Sequence, residues 1–228
     1  MTPDDVTPEA LTPEILTPET LTPAALAAAL LDLGAVALRP AAPFTWASGW
    51  RSPVYTDNRR VLGDVRLRRA VRDAFARAVR DAGWAPNVVA GTATAGIPHA
   101  AWLADALALP MAYVRGSAKA HGTGSRIEGA DVGAARVVLV EDLVSTGGSS
   151  LAAVEALREA GAEVVGVVAL FSYGFPTAAT AFAAARVPLV TLTGYDALVA
   201  AARARGDVSD ADLATLAAWR RDPAAWGR

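Results

Sequence analysis

The run "RVVLVED" (136–142) is apolar until it ends in two adjacent carboxylates, Glu141 and Asp142, and "LVSTGGS" (143–149) follows at once. Small residues ahead of a helix leave backbone N–H groups open, and a helix N-terminus attracts anions. Ser145, Thr146, Gly147, Gly148 and Ser149 are therefore built to cradle a phosphate. Two carboxylates laid against that phosphate would repel it. The arrangement is coherent when they face another part of the same ligand: sugar hydroxyls, a bound Mg²⁺ or a developing positive charge. The loop lacks the Gly-Lys-Ser/Thr of a triphosphate site, and the chain lacks the G-x-G-x-x-G of a dinucleotide site, which excludes a nicotinamide dehydrogenase. On the cradle alone, a tight strand-to-helix turn without a ligand is the other reading.

Two further segments carry chemistry. In "GTATAGIPHAAW" (91–102) a second small, polar loop, Thr92, Ala93, Thr94, Ala95 and Gly96, leads into a helix. It offers another set of backbone donors, or it is an ordinary turn. His99, three residues past Gly96, is read as packed or solvated rather than catalytic. In "YVRGSAKAHGTGSRIEG" (113–129), Arg115, Lys119 and His121 are spaced among glycines. Glycines permit opening and closing, and cations stabilise charge on a departing anionic group. The plain alternative is a solvated basic loop.

The elements that must position these residues follow from periodicity. Short apolar runs at 87–91, 111–115, 136–142, 163–171 and 188–194 read as strands, and 64–83, 96–109, 149–162 and 209–222 as helices. In the first of these helices Val65, Val71, Phe75 and Val79 form the apolar stripe, with arginines opposite. Strands apolar on both faces and joined by helices imply an α/β fold with a parallel sheet covered on both sides. Ligands bind such sheets beyond the carboxyl ends of the strands, where the three segments lie. Residues 116–134 hold five glycines and no period, so an irregular segment is expected. Thr-Pro recurs every five residues from Thr2 to Pro23. Each proline stops the helix the previous pair could start, so 1–21 is expected to be a flexible arm and 22–228 a single domain. The last pair, Thr22-Pro23, opens a helix that Gly34 closes.

Composition narrows the partners. Among 228 residues, 21 basic and 23 acidic side chains give a net charge of -2, which exerts no global pull on nucleic acid or an anionic membrane. No cysteine is present and only two histidines, so thiolate chemistry and multi-histidine metal sites are excluded. No apolar run reaches the roughly 18 residues of a membrane span. The N-terminus lacks a signal-peptide pattern, and a cytoplasmic protein is expected.

The acidic pair, two apolar residues and Ser-Thr-Gly-Gly-Ser resemble the phosphoribosyl-diphosphate (PRPP) signature of type I phosphoribosyltransferases. The resemblance implies that Glu141 and Asp142 hold the ribose hydroxyls, that Leu143, Val144 and Ser145 to Ser149 wrap the 5′-phosphate, and that 92–96 is the diphosphate loop. Segment 113–129 and "FTWASGWRSPVYTDNR" (44–59) resemble the mobile catalytic loop and N-terminal hood of orotate phosphoribosyltransferases. That implies a hood over 22–60 and a catalytic loop over 116–129. Catalysis would then fall to Arg115, Lys119, His121 and Asp142, and orotate contact to Ser145, Tyr55 and Thr56. Mg²⁺ would ride on PRPP near Glu141 and Asp142, with no dedicated metal site. The family pattern also implies a homodimer in which 115–129 acts in trans. The expected reaction is transfer of the phosphoribosyl group of PRPP to orotate, giving orotidine 5′-monophosphate and diphosphate. A sister enzyme for another nucleobase, or a non-catalytic PRPP-sensing regulator, are the alternatives. The resemblance has departures. Ala47, Ala95 and Gly116 stand where some members carry lysine, Glu141 where aspartate is common, and Ser145 where threonine is common. Tyr173 aligns with an orotate-contacting arginine.

Overall fold

A computed structural model describes residues 21–46, 49–116 and 126–226. Thr22 caps α1 (Pro23–Asp32), its Oγ1 accepting the Ala25 N–H at 3.1 Å. The proline sits in the first turn, where no N–H is needed. Gly34 turns the chain out at a φ of +66°. β1 (Val36–Leu38) then pairs antiparallel with β4 (Val54–Thr56), and β2 (Phe44–Thr45) with β3 (Arg51–Ser52). A 3-10 turn (Asn58–Gly63) leads to α2 (Val65–Asp81). Asp64 caps α2 through Oδ1, which accepts the N–H groups of Arg66 and Leu67, each at 2.9 Å.

One residue of the expected α2 stripe is corrected. Val65 is 45% exposed, and the buried face is Leu67, Ala70, Val71, Ala74, Phe75 and Val79. Val65 precedes Val71 by six residues, and an α-helix turns about 100° per residue, so it stands about 120° off the stripe.

The remaining elements alternate: β5 (Val88–Thr92), α3 (Gly96–Leu107), β6 (Met111–Val114), β7 (Ile127–Gly129), β8 (Arg136–Val144), α4 (Gly148–Glu159), β9 (Glu163–Ser172), α5 (Pro176–Ala184), β10 (Leu189–Gly194), α6 (Tyr195–Arg205) and α7 (Asp210–Arg221). Six strands form one sheet in the order β10-β9-β8-β5-β6-β7. Every pair is parallel except β6 with β7. β7 lies in the stretch expected to be irregular, and it closes the sheet as an antiparallel edge. Side chains of a strand alternate between faces. Val138, Val140, Val168 and Leu170 accordingly enter the core shared with α1, α2, α3, α6 and α7. Val137, Leu139, Val167 and Ala169 enter the core under α4 and α5.

β8 runs two residues past the acidic pair, pairing with β9 as far as Val144 and Ser172. The carboxylates therefore sit inside a strand end and not beyond it. Helices α5 and α6 were not evident from apolar spacing.

Candidate active site

From β5 the chain moves outward to β6 and β7, then returns to the opposite side of β5 as β8. The crevice between the carboxyl ends of β5 and β8 is thus the point where the winding reverses, the usual ligand site of such sheets. Both small-residue loops open onto it. The start of α3 packs closely on the strands: a Cβ added to Gly96 would lie 2.5 Å from the Val140 carbonyl oxygen of β8, and one on Gly91 of β5 2.8 Å from the Ala100 Cβ. Only glycine lets the start of α3 press on β8 in this way.

Strand alternation sends the two acids in different directions. Glu141 points inward and is 4% exposed. Its carboxylate accepts the Ser150 hydroxyl at 2.9 Å, the Ser149 hydroxyl at 3.4 Å and the Asp142 N–H at 3.1 Å. Burial, with the neighbouring Asp142 charge adding to it, pushes Glu141 from its ordinary 4.5 up to about 8, against the Ser150 hydrogen bond. Asp142 is half-buried, and burial also raises it, opposed by hydrogen bonds from Glu141 and the local backbone and by the Arg59 charge. Two adjacent acids held this way favour a ligand that brings hydroxyl donors or a cation. The Asp142 backbone is fixed from the N-terminal segment, because the Asn58 side-chain amide donates to its carbonyl at 2.7 Å.

The small-residue loop 145–149 leads into the N-terminus of α4. Gly147 takes a φ of +87° at the N-cap of α4, and Thr146, Gly148 and Ser149 are exposed. In the other loop the Ala93–Thr94 peptide is cis, Thr94 is exposed, and the Thr92 hydroxyl is buried without a hydrogen-bond partner among the described residues.

Beside the cradle lies a cavity of about 290 Å³ lined by Thr45, Trp46, Tyr55, Thr56, Leu143, Ser145 and Tyr173. It brings the three expected base-contacting residues, Ser145, Tyr55 and Thr56, onto one wall system with Tyr173. Tyr173 follows β9, and its N–H donates to the Val144 carbonyl at 3.1 Å, which sets it beside the cradle. Its hydroxyl donates to the Thr56 hydroxyl oxygen at 3.0 Å.

The basic segment is described only at its ends. Arg115 and Arg126 pair, the Arg115 N–H donating to the Arg126 carbonyl at 2.8 Å and the Arg126 Nε–H to the Arg115 carbonyl at 3.1 Å. The Arg115 guanidinium meets Glu128 at 3.3 Å, and the Tyr113 hydroxyl donates to the same carboxylate at 2.9 Å. Lys119 and His121 lie outside the described residues, as does Ala47. His99 is packed: it is 1% exposed, edge-on to Phe75 and Trp102, and burial lowers it from 6.5 to about 4.

Sequence reasoning missed Asn58, Ser150, Thr45 and Trp46. Ser150 extends the hydroxyl run of the cradle by one, a visible signal. The other three belong to the 44–59 motif but were given no roles. Among the described residues, no three acidic or histidine side chains converge into a cage for a metal. Asp142 beside a phosphate cradle instead suits Mg²⁺ held mainly by substrate oxygens, as that ion prefers few carboxylates.

Comparison with known proteins agrees with this geometry. A sequence model of the phosphoribosyl transferase domain matches residues 63–187. An orotate phosphoribosyltransferase of Bacillus caldolyticus is 54% identical over 198 residues, 87% of this chain and 96% of that protein. One from Bacteroides fragilis is 51% identical over 197 residues, 86% of this chain and 93% of the relative. The crystal structure of orotate phosphoribosyltransferase from Aeropyrum pernix superposes with a TM-score of 0.68 at 35% identity, covering 81% of this chain and 99% of that one.

Proposed function

We propose a division of labour in this site from one premise: the chain belongs to the phosphoribosyltransferase family, as an orotate phosphoribosyltransferase. It transfers the phosphoribosyl group of PRPP to orotate, a step of pyrimidine biosynthesis. The single observation that carries the residue roles is the meeting, at the carboxyl end of β8, of a small-residue loop at a helix N-terminus, an acidic pair and a cavity that shares Ser145 with that loop. Backbone N–H groups of 145–149 hold the 5′-phosphate. Asp142, and Glu141 behind it, serve the ribose diol. The loop 92–96 offers backbone donors to the diphosphate, and the cavity takes the pyrimidine.

The bond from the ribose C1 to the diphosphate oxygen breaks, and the N1 of orotate bonds to C1. Positive charge develops on the sugar and negative charge on the leaving group. The protein acts by positioning and electrostatics. Orotate is a carboxylate at neutral pH but still carries its N1 proton, which leaves as N1 bonds to C1 and passes to the departing diphosphate or to solvent; the packed His99 is not placed to receive it. Asp142 lies where it would approach Mg²⁺ carried by PRPP, an ion that supplies charge neutralisation to the diphosphate when bound. Lys119, His121 and Arg115 supply cations to the leaving group, and in a homodimer segment 115–129 would do so across the interface. No helix among the described residues is long and apolar enough to cross a membrane.

The test is depletion of orotate in the presence of PRPP and Mg²⁺, with adenine, hypoxanthine and uracil as controls. Turnover of orotate alone is expected. Turnover of another base without orotate would overturn the assignment.

A further inference from the structure

The N-terminal repeat has a fuller form than its Thr-Pro pairs. Residues 2–6, 7–11, 12–16 and 17–21 each read Thr-Pro, an acidic residue, a variable one and an aliphatic one, ending in Val6, Leu11, Leu16 and Leu21. Residues 1–20 lie outside the described residues. Leu21, the last residue of the arm, is described: it is 6% exposed and belongs to the main core. The final copy of the repeat thus seats its aliphatic residue on the domain.

The seat continues past Leu21. Leu21 and Pro23 line a cavity of about 400 Å³ between α2 and β10. On α2 the wall is Ala74, Arg77, Ala78, Asp81 and Ala82, spaced as one helical stripe. On β10 it is Val190, Thr191 and Leu192. Successive residues of a strand point to opposite faces, so three in a row place the cavity along the strand's edge. β10 is the outer strand of its sheet, and β9 is its only strand partner among the described residues. Its outer backbone groups are therefore open to another extended segment. The Thr193 hydroxyl donates to the Pro23 carbonyl at 2.7 Å, which pins the start of α1 beside the end of β10. The burial of Leu21 shows that the chain just before that point lies in the groove and not out in solvent.

We propose that residues 12–20 continue along this groove in extended form, with Leu16 occupying it beyond Leu21, so that the arm covers the β10 edge. The segment has the chemistry for it. Thr12 and Thr17 precede prolines, which holds them extended. Proline lacks an N–H and is accepted in a strand at a sheet edge. The wall carries one cation, Arg77, and one anion, Asp81, so the fit is chiefly apolar. Arg77 has no ion pair among the described residues, and Glu19 comes within its reach, two residues before Leu21. Length agrees as well. Five extended residues span about 16 Å, and α2 rises about 12 Å from Ala74 to Ala82, so one repeat measures the groove. The cover shields an edge that would otherwise template pairing with another chain.

Amide hydrogen exchange on the full chain tests it, against Leu16→Asp and against a chain lacking residues 2–16. Both changes are expected to cut protection of the β10 amides about tenfold and to leave the β8 amides unchanged. Equal protection of β10 in all three proteins would overturn the proposal. So would equal losses in β10 and β8, which mark a general loss of stability. Position is read by cross-linking, because the chain has no cysteine of its own. Leu16→Cys combined with Ala78→Cys or Ala82→Cys should form an intrachain disulfide on mild oxidation. Combined with Val65→Cys, exposed but off the groove, it should not. Disulfides formed only between chains would assign the groove to the arm of a second copy, and no disulfide in either groove pair would place the arm elsewhere; each result overturns the proposal.

Discussion

Replacing Gly96 with alanine should disable the reaction while leaving the chain folded. The added methyl carbon would sit 2.5 Å from the Val140 carbonyl oxygen and 3.5 Å from the Glu141 Cα. Both neighbours are backbone of a central strand, hydrogen-bonded on its two sides, and cannot yield like a flexible side chain. Normal contact would require the start of α3 to retreat from β8 by roughly 0.9 Å. Over-packing of this kind costs about 1–3 kcal/mol, or about 2–12 °C of Tm in a chain of this size. The retreat also displaces loop 92–96 relative to β8 and its acidic pair, and misplacement by about 1 Å costs on the order of a hundredfold in rate. The assay pairs kcat/KM for PRPP with thermal unfolding. Gly63→Ala is the control, since nothing lies within 4 Å of its Cβ. It should leave Tm within about 2 °C. A Gly96→Ala enzyme with wild-type kcat/KM would refute the claim that loop 92–96 is positioned for the reaction by the close approach of α3 to β8.

Three other outcomes follow from the site. Glu141 is raised by burial from 4.5 to about 8, so the ligand-free native state holds a proton that the unfolded chain has lost across that window. Wild-type stability should fall as pH rises from 5 to 8.5, and Glu141→Gln should remove that loss, a difference on the order of a few kcal/mol in denaturant titrations. A pH-independent difference between the two proteins would contradict it. His99 is lowered to about 4 by burial, so its penalty appears as pH falls below 6.5 and grows toward 4. His99→Leu should gain stability relative to wild type at pH 4.5 but not at pH 7.5, with kcat within about twofold; loss of turnover would give the imidazole a role denied above. Lys119→Ala should cut kcat far more than PRPP affinity if, as proposed, it meets charge formed late in the reaction. Mixed with inactive Asp142→Asn chains it should recover activity, and no recovery despite subunit exchange would place the loop in its own chain's site.

What the sequence revealed of the fold was what repeats. β8 and β9 are valine-rich and buried on both faces, and such runs announce themselves. α5 reads "PTAATAFAA", with only Ala178 and Phe182 buried, so it has little apolar contrast to detect. β7 is three residues long and exists by pairing with β6. Its one sequence signal was Gly129, at a φ of +105° with a would-be Cβ 2.6 Å from the Met111 carbonyl oxygen. The strand expected over 136–142 runs on to Val144, because the two apolar residues after the acidic pair continue the pairing with β9. Glu141 can stay in the strand because Ser150 and the backbone satisfy it.

The same logic separates the legible from the illegible parts of the site. The cradle and the acidic pair are contiguous in the chain, so their chemistry could be read directly. The contacts that orient them span 84 residues from Asn58 to Asp142 and 117 from Thr56 to Tyr173. No local pattern encodes such pairs; they arise when the N-terminal segment folds over the sheet. The structure also breaks a symmetry that the sequence suggested. Glu141 and Asp142 look like twins, yet strand alternation commits Glu141 to anchoring the hydroxyls at the start of α4 and leaves Asp142 nearer the crevice. The longer glutamate suits the inward position, where it must reach Ser150 in the first turn of α4. Asp142 needs no such reach, because Asn58 already holds its backbone in place.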